Sequence, residues 1–247
     1  MKSFAFAAVI GFTNALSTIE LEYMNHIATF GKNLATAEEF YARLENFVVT
    51  DSAIKEINSE NATWVAGHNQ FSDWTHEEYG ALLGLRQSND NENVKIYDET
   101  NTPASVNWVT DGAVTPVKDQ GQCGSCWSFS TTGSVEGAHF VATGELLSFS
   151  EQQLVDCATK LNMGCNGGNP LWAFKYLKSN MAELESVYPY FSGTTQTGGD
   201  CQYDALSKTS VEVSSYASVT ADSVPQMKAA LAVSPVSVLV EADKMVW

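Results

Sequence analysis

Hydrophobic and polar positions fall into successive textures along the 247 residues. Between about Glu20 and Leu85 the texture is helical. Phe40, Leu44, Phe47, Ile54 and Ile57 recur three, four or seven positions apart, which predicts one apolar face of a helix. Glu39 and Arg43 stand at i and i+4 in the favourable order on that helix. A second helix is predicted from Trp127 towards Phe140, entered from a loop of small residues. Ser150–Cys157 predicts a third, beginning near Ser150, with Ser150 and Gln153 at capping-box spacing. Gly164-Cys165-Asn166-Gly167-Gly168-Asn169-Pro170 predicts a turn outside any helix or strand. From Val211 the period becomes two: Val211–Tyr216 alternates, and Pro235–Val240 is β-branched and apolar. Both predict strands, with a short helix over Val224–Leu231 between them. Helices first and strands afterwards indicate the α+β class.

Two stretches stand apart from these elements. Met1–Ser17 has a lysine at position 2, an apolar run from Phe4 to Phe12 and small residues at Ala15 and Ser17, the pattern of a secretory signal. The run is too short to span a bilayer, and no other stretch reaches the ~20 apolar residues that a span needs. Arg86–Thr102 is polar and patternless, which predicts a linker exposed to activating proteolysis. The one N-x-[ST] sequon is Asn61-Ala62-Thr63.

Composition narrows the class. The length admits one large domain or two ordinary ones, and 44% hydrophobic residues argue against general disorder. A formal charge of −16 leaves no basic patch for nucleic acid and suits an acidic compartment, where carboxylates begin to protonate. Five cysteines are an odd set. In an extracytoplasmic protein they read as two disulfides and one free thiol, with a zinc site as the rival arrangement.

The chemistry concentrates in Gln120-Gly121-Gln122-Cys123-Gly124-Ser125-Cys126-Trp127. A cysteine at a helix N-terminus meets unpaired N–H groups and the positive end of the helix dipole, which favour the nucleophilic thiolate. Cys123-Gly124-Ser125-Cys126-Trp127 fits the C-G-[SA]-C-[WY] pattern, so the chain resembles the papain-like cysteine proteases. Glu39, Arg43, Phe47, Ile54 and Asn58 match five of six positions of the interspersed pro-region motif of the cathepsin L-like group, with Thr50 in place of Asn. Gly67-x-Asn69-x-Phe71-x-Asp73 matches the second pro-region motif of that group.

The resemblance implies a papain-like two-domain fold, its helical left domain complete and its β-rich right domain incomplete, behind a helical inhibitory pro-domain. The implied divisions are a signal over residues 1–17, a pro-segment over 18–102 and a peptidase domain over 103–247, starting at Pro103-Ala104-Ser105-Val106-Asn107-Trp108. Cys126 is implied as nucleophile and Gln120, six residues earlier, as the oxyanion-hole donor. Gly167 and Gly168 are implied as the strip that pairs with an extended peptide, and Pro170 and Leu171 as pocket residues. Implied disulfides are Cys123–Cys165 and Cys157–Cys201. The expected partners are protein and peptide substrates and the chain's own pro-segment as inhibitor, in a monomer of the lysosome, vacuole or exterior. No cofactor, metal, nucleic acid or membrane span is implied.

One requirement is unmet. The mechanism needs an imidazole base and an orienting Asn or Asp, which in this family lie ~130–150 residues past the nucleophile. Only 121 residues follow Cys126 (247 − 126), and His139 is their sole histidine. It matches no catalytic position of the family and reads as structural; His68 and His76 read as surface or packing residues whose protonation can loosen the pro-segment. The expectation is therefore a truncated endopeptidase precursor, with an inactive homologue acting as a binding or inhibitory module as the alternative.

Overall fold

The computed structural model describes residues 16–60, 63–88, 93–204 and 210–242. These divide into two compact units, one running to Thr75 and the other starting at His76. The element order is α1 (Thr18–Thr29), α2 (Ala37–Ser59), α3 (His76–Gly80), β1 (Val94–Lys95), α4 (Cys126–Thr143) and α5 (Glu151–Cys157). A 3₁₀ turn (Gly164–Asn166), α6 (Pro170–Ser179), α7 (Ser192–Thr195), β2 (Ser218–Val219) and α8 (Val224–Leu231) follow.

In the first unit α1 packs on α2. Ser17 opens α1 through a reciprocal capping box with Glu20, and Thr36 caps α2 by accepting from the Glu39 N–H. Tyr23 and Phe47 are fully buried with ring centroids 5.2 Å apart, and His26 lies 5.0 Å from the Phe47 ring. Phe47 and Ile54 are buried and Phe40 packs against Tyr23, as the helical spacing requires. Thr50, the departure from the motif, is buried as well. The motif polar residues hold the loop that follows α2. Asn58 pairs with both the N–H (2.8 Å) and the C=O (3.0 Å) of Ala66. The buried Asp73 carboxylate accepts from Tyr23 (3.0 Å) and Lys32 (2.5 Å), and its carbonyl accepts from Arg43 and Asn46. The Glu39–Arg43 ion pair forms at 3.7 Å. His76 is exposed, whereas His68 stacks on Phe47 at 4.1 Å.

The core of the second unit lies where α4 packs on α5 and α6. Trp127, Phe149, Leu154, Val155, Ala173, Leu177 and Ala182 form it. Burying one such aliphatic side chain contributes about 1.5–3 kcal/mol. Helix α4 stops at Gly144, whose φ of +79° lets its N–H turn back to the Phe140 carbonyl. Helix α6 starts at Asn169, which caps Leu171, with Pro170 at the first helical position. Every residue of α5 from Glu151 to Asp156 is buried, polar ones included. Gln152, for instance, bonds with Asp156, Ser192 and the Phe191 N–H.

Three expectations need correction. The Val211–Tyr216 strand shrinks to one bridge, Val211 to Ala182, and Pro235–Val240 forms no strand. An alternating sequence gives extended backbone, but a strand needs a ladder partner, and no described residue supplies one to 235–240. That segment is held by α4 instead: Pro235 packs over Gly137, and the Ser130 and Ser237 hydroxyls meet at 2.6 Å. The Gly164–Pro170 stretch contains a 3₁₀ turn and a bridging residue, Gly168. The polar linker is partly built into the fold. Val94 and Lys95 pair in parallel with Ser218 and Val219, and the Gln226 amide bonds both main-chain groups of Tyr97 (2.8 and 3.0 Å). The signal expected over Met1–Ser17 lies outside the described residues up to Ala15, as do Asn61 and Ala62 of the sequon.

Candidate active site

Cys126 is the first residue of α4, half-buried, and the free cysteine of the chain. Disulfides join Cys123 to Cys165 and Cys157 to Cys201, the pairs that the resemblance implies. The first clamps the loop before α4, and the Gly124 N–H adds a bond to the Cys165 carbonyl (3.0 Å). Trp127 is 1% exposed and anchors the next position by donating its indole N–H to the Gly164 carbonyl (3.2 Å). Ser128 and Thr131 are buried and return their hydroxyl protons to the Ser125 and Trp127 carbonyls.

Gln120 approaches the same loop. Its side-chain amide donates to the Cys123 carbonyl (2.8 Å) and to the Leu82 carbonyl (3.2 Å). Gly167 and Gly168 face the segment that follows Leu82. The Gly168 N–H donates to the Gly84 carbonyl and the Arg86 N–H to the Gly168 carbonyl, each at 2.8 Å, so Leu85 and Gly168 form a parallel bridge. Asn169 adds its side-chain amide to the Arg86 carbonyl (2.7 Å). Glycine is required on both sides. A Cβ at Gly84 would collide with the Gly124 carbonyl, and one at Gly168 with Asn162 and the Trp127 ring. Pro170 is buried and Leu171 half-buried at the start of α6.

A buried ionic cluster supports the loop from below. Lys118 bridges Glu136 (2.7 Å) and Glu151 (2.6 Å), and both carboxylates are 1% exposed. Thr115 donates to the other Glu136 oxygen, while the Phe149 N–H and Thr132 share with Lys118 the oxygens it holds on Glu136 and Glu151. Glu185 accepts the Tyr190 N–H (2.8 Å), and burial together with the Glu151 charge raises its pKa to about 7. The cluster and Tyr190 carry no sequence motif, and their residues are scattered over loops, α4 and α5 with no spacing that links them. His139 sits in α4 thirteen positions past Cys126, about 20 Å along the axis at ~1.5 Å per residue. Its ring meets Phe149 edge-on at 5.9 Å. No helix among the described residues is long and apolar enough to cross a membrane.

Comparison with known proteins fits this geometry. Residues 102–247 match the papain family cysteine protease, and residues 23–79 match the cathepsin propeptide inhibitor domain. Cysteine proteinase 5 of Dictyostelium discoideum is 42% identical over 239 residues, spanning 91% of this chain and 66% of that protein. Digestive cysteine proteinase 2 of Homarus americanus is 37% identical, spanning 92% of this chain and 72% of its own. The chain covers 52% of cysteine proteinase 4 of D. discoideum, so it spans only part of the length of such relatives. Among solved structures, a recombinant stem bromelain precursor superposes with a TM-score of 0.78 at 28% identity over 88% of this chain and 70% of its own. Digestive procathepsin L 3 of Tenebrio molitor larval midgut gives 0.73 at 32% over 87% and 71%. The chain therefore belongs to the papain family of cysteine proteases, as a precursor with a cathepsin-type propeptide inhibitor domain ahead of its papain-type region.

Proposed function

We propose that this chain is the zymogen form of a cysteine-type endopeptidase of the secretory pathway, with residues 18–102 as pro-segment and 103–247 as peptidase region. Cys126 attacks the peptide carbonyl as a thiolate, forming an acyl-enzyme and displacing the amine. The Gln120 amide and the Cys126 backbone N–H hold the oxyanion that forms on the way. Gly167 and Gly168 pair with the extended substrate, and Pro170 with Leu171 shapes a neighbouring pocket.

One observation carries this reading. Residues 84–86 pair with Gly168 main chain to main chain, and the Leu82 carbonyl, in the turn just before them, accepts from Gln120. The site thus already binds a peptide main chain and sets a carbonyl on the proposed oxyanion donor. The same contacts make the pro-segment its inhibitor.

His139 stands too far along α4 to deprotonate Cys126, so this chain holds no assigned general base, and its turnover of unactivated peptides is expected to be slow. An activated ester bypasses that need, because nitrophenolate leaves without a proton. Exposing the full chain to p-nitrophenyl acetate should acetylate Cys126, detected by peptide mass mapping. Gln120→Ala should slow the acetylation by about 10²–10³-fold. Acetylation that ignores Cys126, or proceeds equally fast without the Gln120 amide, would refute the assignment.

A further inference from the structure

Tyr190 belongs to none of the motifs, yet its phenol stands between two residues of the nucleophile loop. Its hydroxyl donates to the Gln120 carbonyl at 2.7 Å and lies 2.7 Å from the Ser125 hydroxyl. With the phenol proton on Gln120, Ser125 is the donor of the second bond. The ring packs edge-on against Phe129, with centroids 4.9 Å apart. Burial is the main cause that pushes the phenol to about 12, so it stays protonated wherever the protein works.

Ser125 occupies the N-cap of α4, a position from which a serine oxygen ordinarily accepts a first-turn N–H. Ser17, Thr36, Ser150 and Ser223 all do so at the helices they open. Ser125, whose ψ of 12° departs from the extended backbone of those four, makes no such bond. Its hydroxyl, fully buried, is turned to Tyr190 instead, with a longer contact to the Cys123 carbonyl at 3.4 Å. The helix that opens on a cysteine is thus left without a side-chain cap; its Ser128 N–H is taken by the Ser125 carbonyl (2.8 Å), and the Cys126 and Trp127 N–H groups keep their capacity to stabilise negative charge.

We propose that Tyr190 is a positioning residue: by holding the Ser125 hydroxyl away from the start of α4 and anchoring the Gln120 main chain, it reserves the first N–H groups of the helix for the charge that develops at Cys126. The proposal rests on Cys126 being the nucleophile. Without the phenol, Ser125 turns to cap the helix and competes for those N–H groups.

The test is the rate of Cys126 acetylation by p-nitrophenyl acetate in the full chain, with folding checked by circular dichroism. Tyr190→Phe keeps the ring contact with Phe129 and should slow acetylation by about tenfold, the scale of one competing cap. Adding Ser125→Ala removes the competitor and should recover most of that loss, the remainder belonging to the Gln120 anchor. A purely structural role for Tyr190 predicts no recovery. Ser125→Asn, a neutral side chain that caps from this position regardless of Tyr190, should slow the reaction on its own. Normal rates in both Tyr190→Phe and Ser125→Asn, or a double variant as slow as Tyr190→Phe, would overturn the proposal. A wild-type chain that is not acetylated at Cys126 would instead remove the nucleophile reading beneath it.

Discussion

His26 and Asp73 face each other inside the N-terminal unit, the imidazole Nε2 4.0 Å from a carboxylate oxygen that Lys32 already holds. Among the described residues, neither ring nitrogen of His26 has a hydrogen-bond partner. Burial lowers its pKa to about 4; Asp73 opposes the shift, while Lys32 and His68 add to it. In the unfolded chain the same group titrates near ~6.5. Between those values the unfolded state takes up a proton that the folded state refuses, so this contribution is complete above pH ~6.5 and is lost as pH falls towards 4. The N-terminal unit is expected to become protease-sensitive on acidification over that window. His26→Phe, which keeps the ring among Phe30 and Phe47, should flatten the response; an unchanged acid profile in that variant would count against His26.

Glu185 sets the opposite slope in the second unit. Its pKa is raised to about 7, first by burial and then by Glu151, with the Tyr190 N–H and Lys118 opposing. A folded carboxyl that keeps its proton above the unfolded value stabilises fully below pH ~4.5 and loses that contribution as pH rises through 7. Thermal melts of the full chain should therefore show the second unit melting lower at pH 8 than at pH 5. Glu185→Gln should reduce the difference, and an identical pH dependence in the variant would exclude this carboxyl as its source.

Among the described residues, Lys118 is the positive charge that bridges Glu136 and Glu151. Lys118→Met leaves two buried carboxylates facing each other without compensation. The expected loss is about 3–5 kcal/mol, read as a drop in the urea midpoint of the second unit. A loss under ~1 kcal/mol would place the cluster among weak surface pairs.

Gly84 passes so close to the Gly124 carbonyl that no side chain fits. Gly84→Ala should therefore lift residues 82–86 off the Gly168 strip. Iodoacetamide labelling of Cys126 in the full chain is the readout. It should accelerate by about tenfold, equivalent to about 1.4 kcal/mol removed from the closed arrangement. Labelling at the parental rate would mean that this segment does not cover the thiol.

Local rules made much of this legible. Ser150 marks a helix start by capping chemistry that acts within four residues, and the spacing of Phe47 and Ile54 fixed a buried face, whereas the helix that opens at Pro170 was hidden behind a run read as a turn. The cysteine loop was readable because its glycines and its helix start are local too. What stayed hidden is non-local. Tyr190 reaches Gln120 across seventy positions, and no periodicity announces a phenol that satisfies two distant polar groups. The residues of α5 are mostly polar yet buried, because side chains from remote loops complete their hydrogen bonds. Val211–Tyr216 misled for the same reason: alternation describes the backbone of a strand and says nothing of its neighbour. The linker misled in reverse, since Tyr97 found its partner in Gln226, 129 positions away.

The two disulfides have a topological consequence. Their spans interleave, Cys123 to Cys165 and Cys157 to Cys201, so each bridge begins inside or ends inside the other. Any single peptide-bond cut between Cys123 and Cys201 therefore leaves both pieces covalently joined, and a cut between Cys157 and Cys165 leaves them joined twice. A nick in this region frees no fragment, whereas one cut ahead of Pro103 releases everything before it. By connectivity alone the chain thus distinguishes cuts between Cys123 and Cys201, whose pieces are retained, from cuts outside that span, which let a segment go.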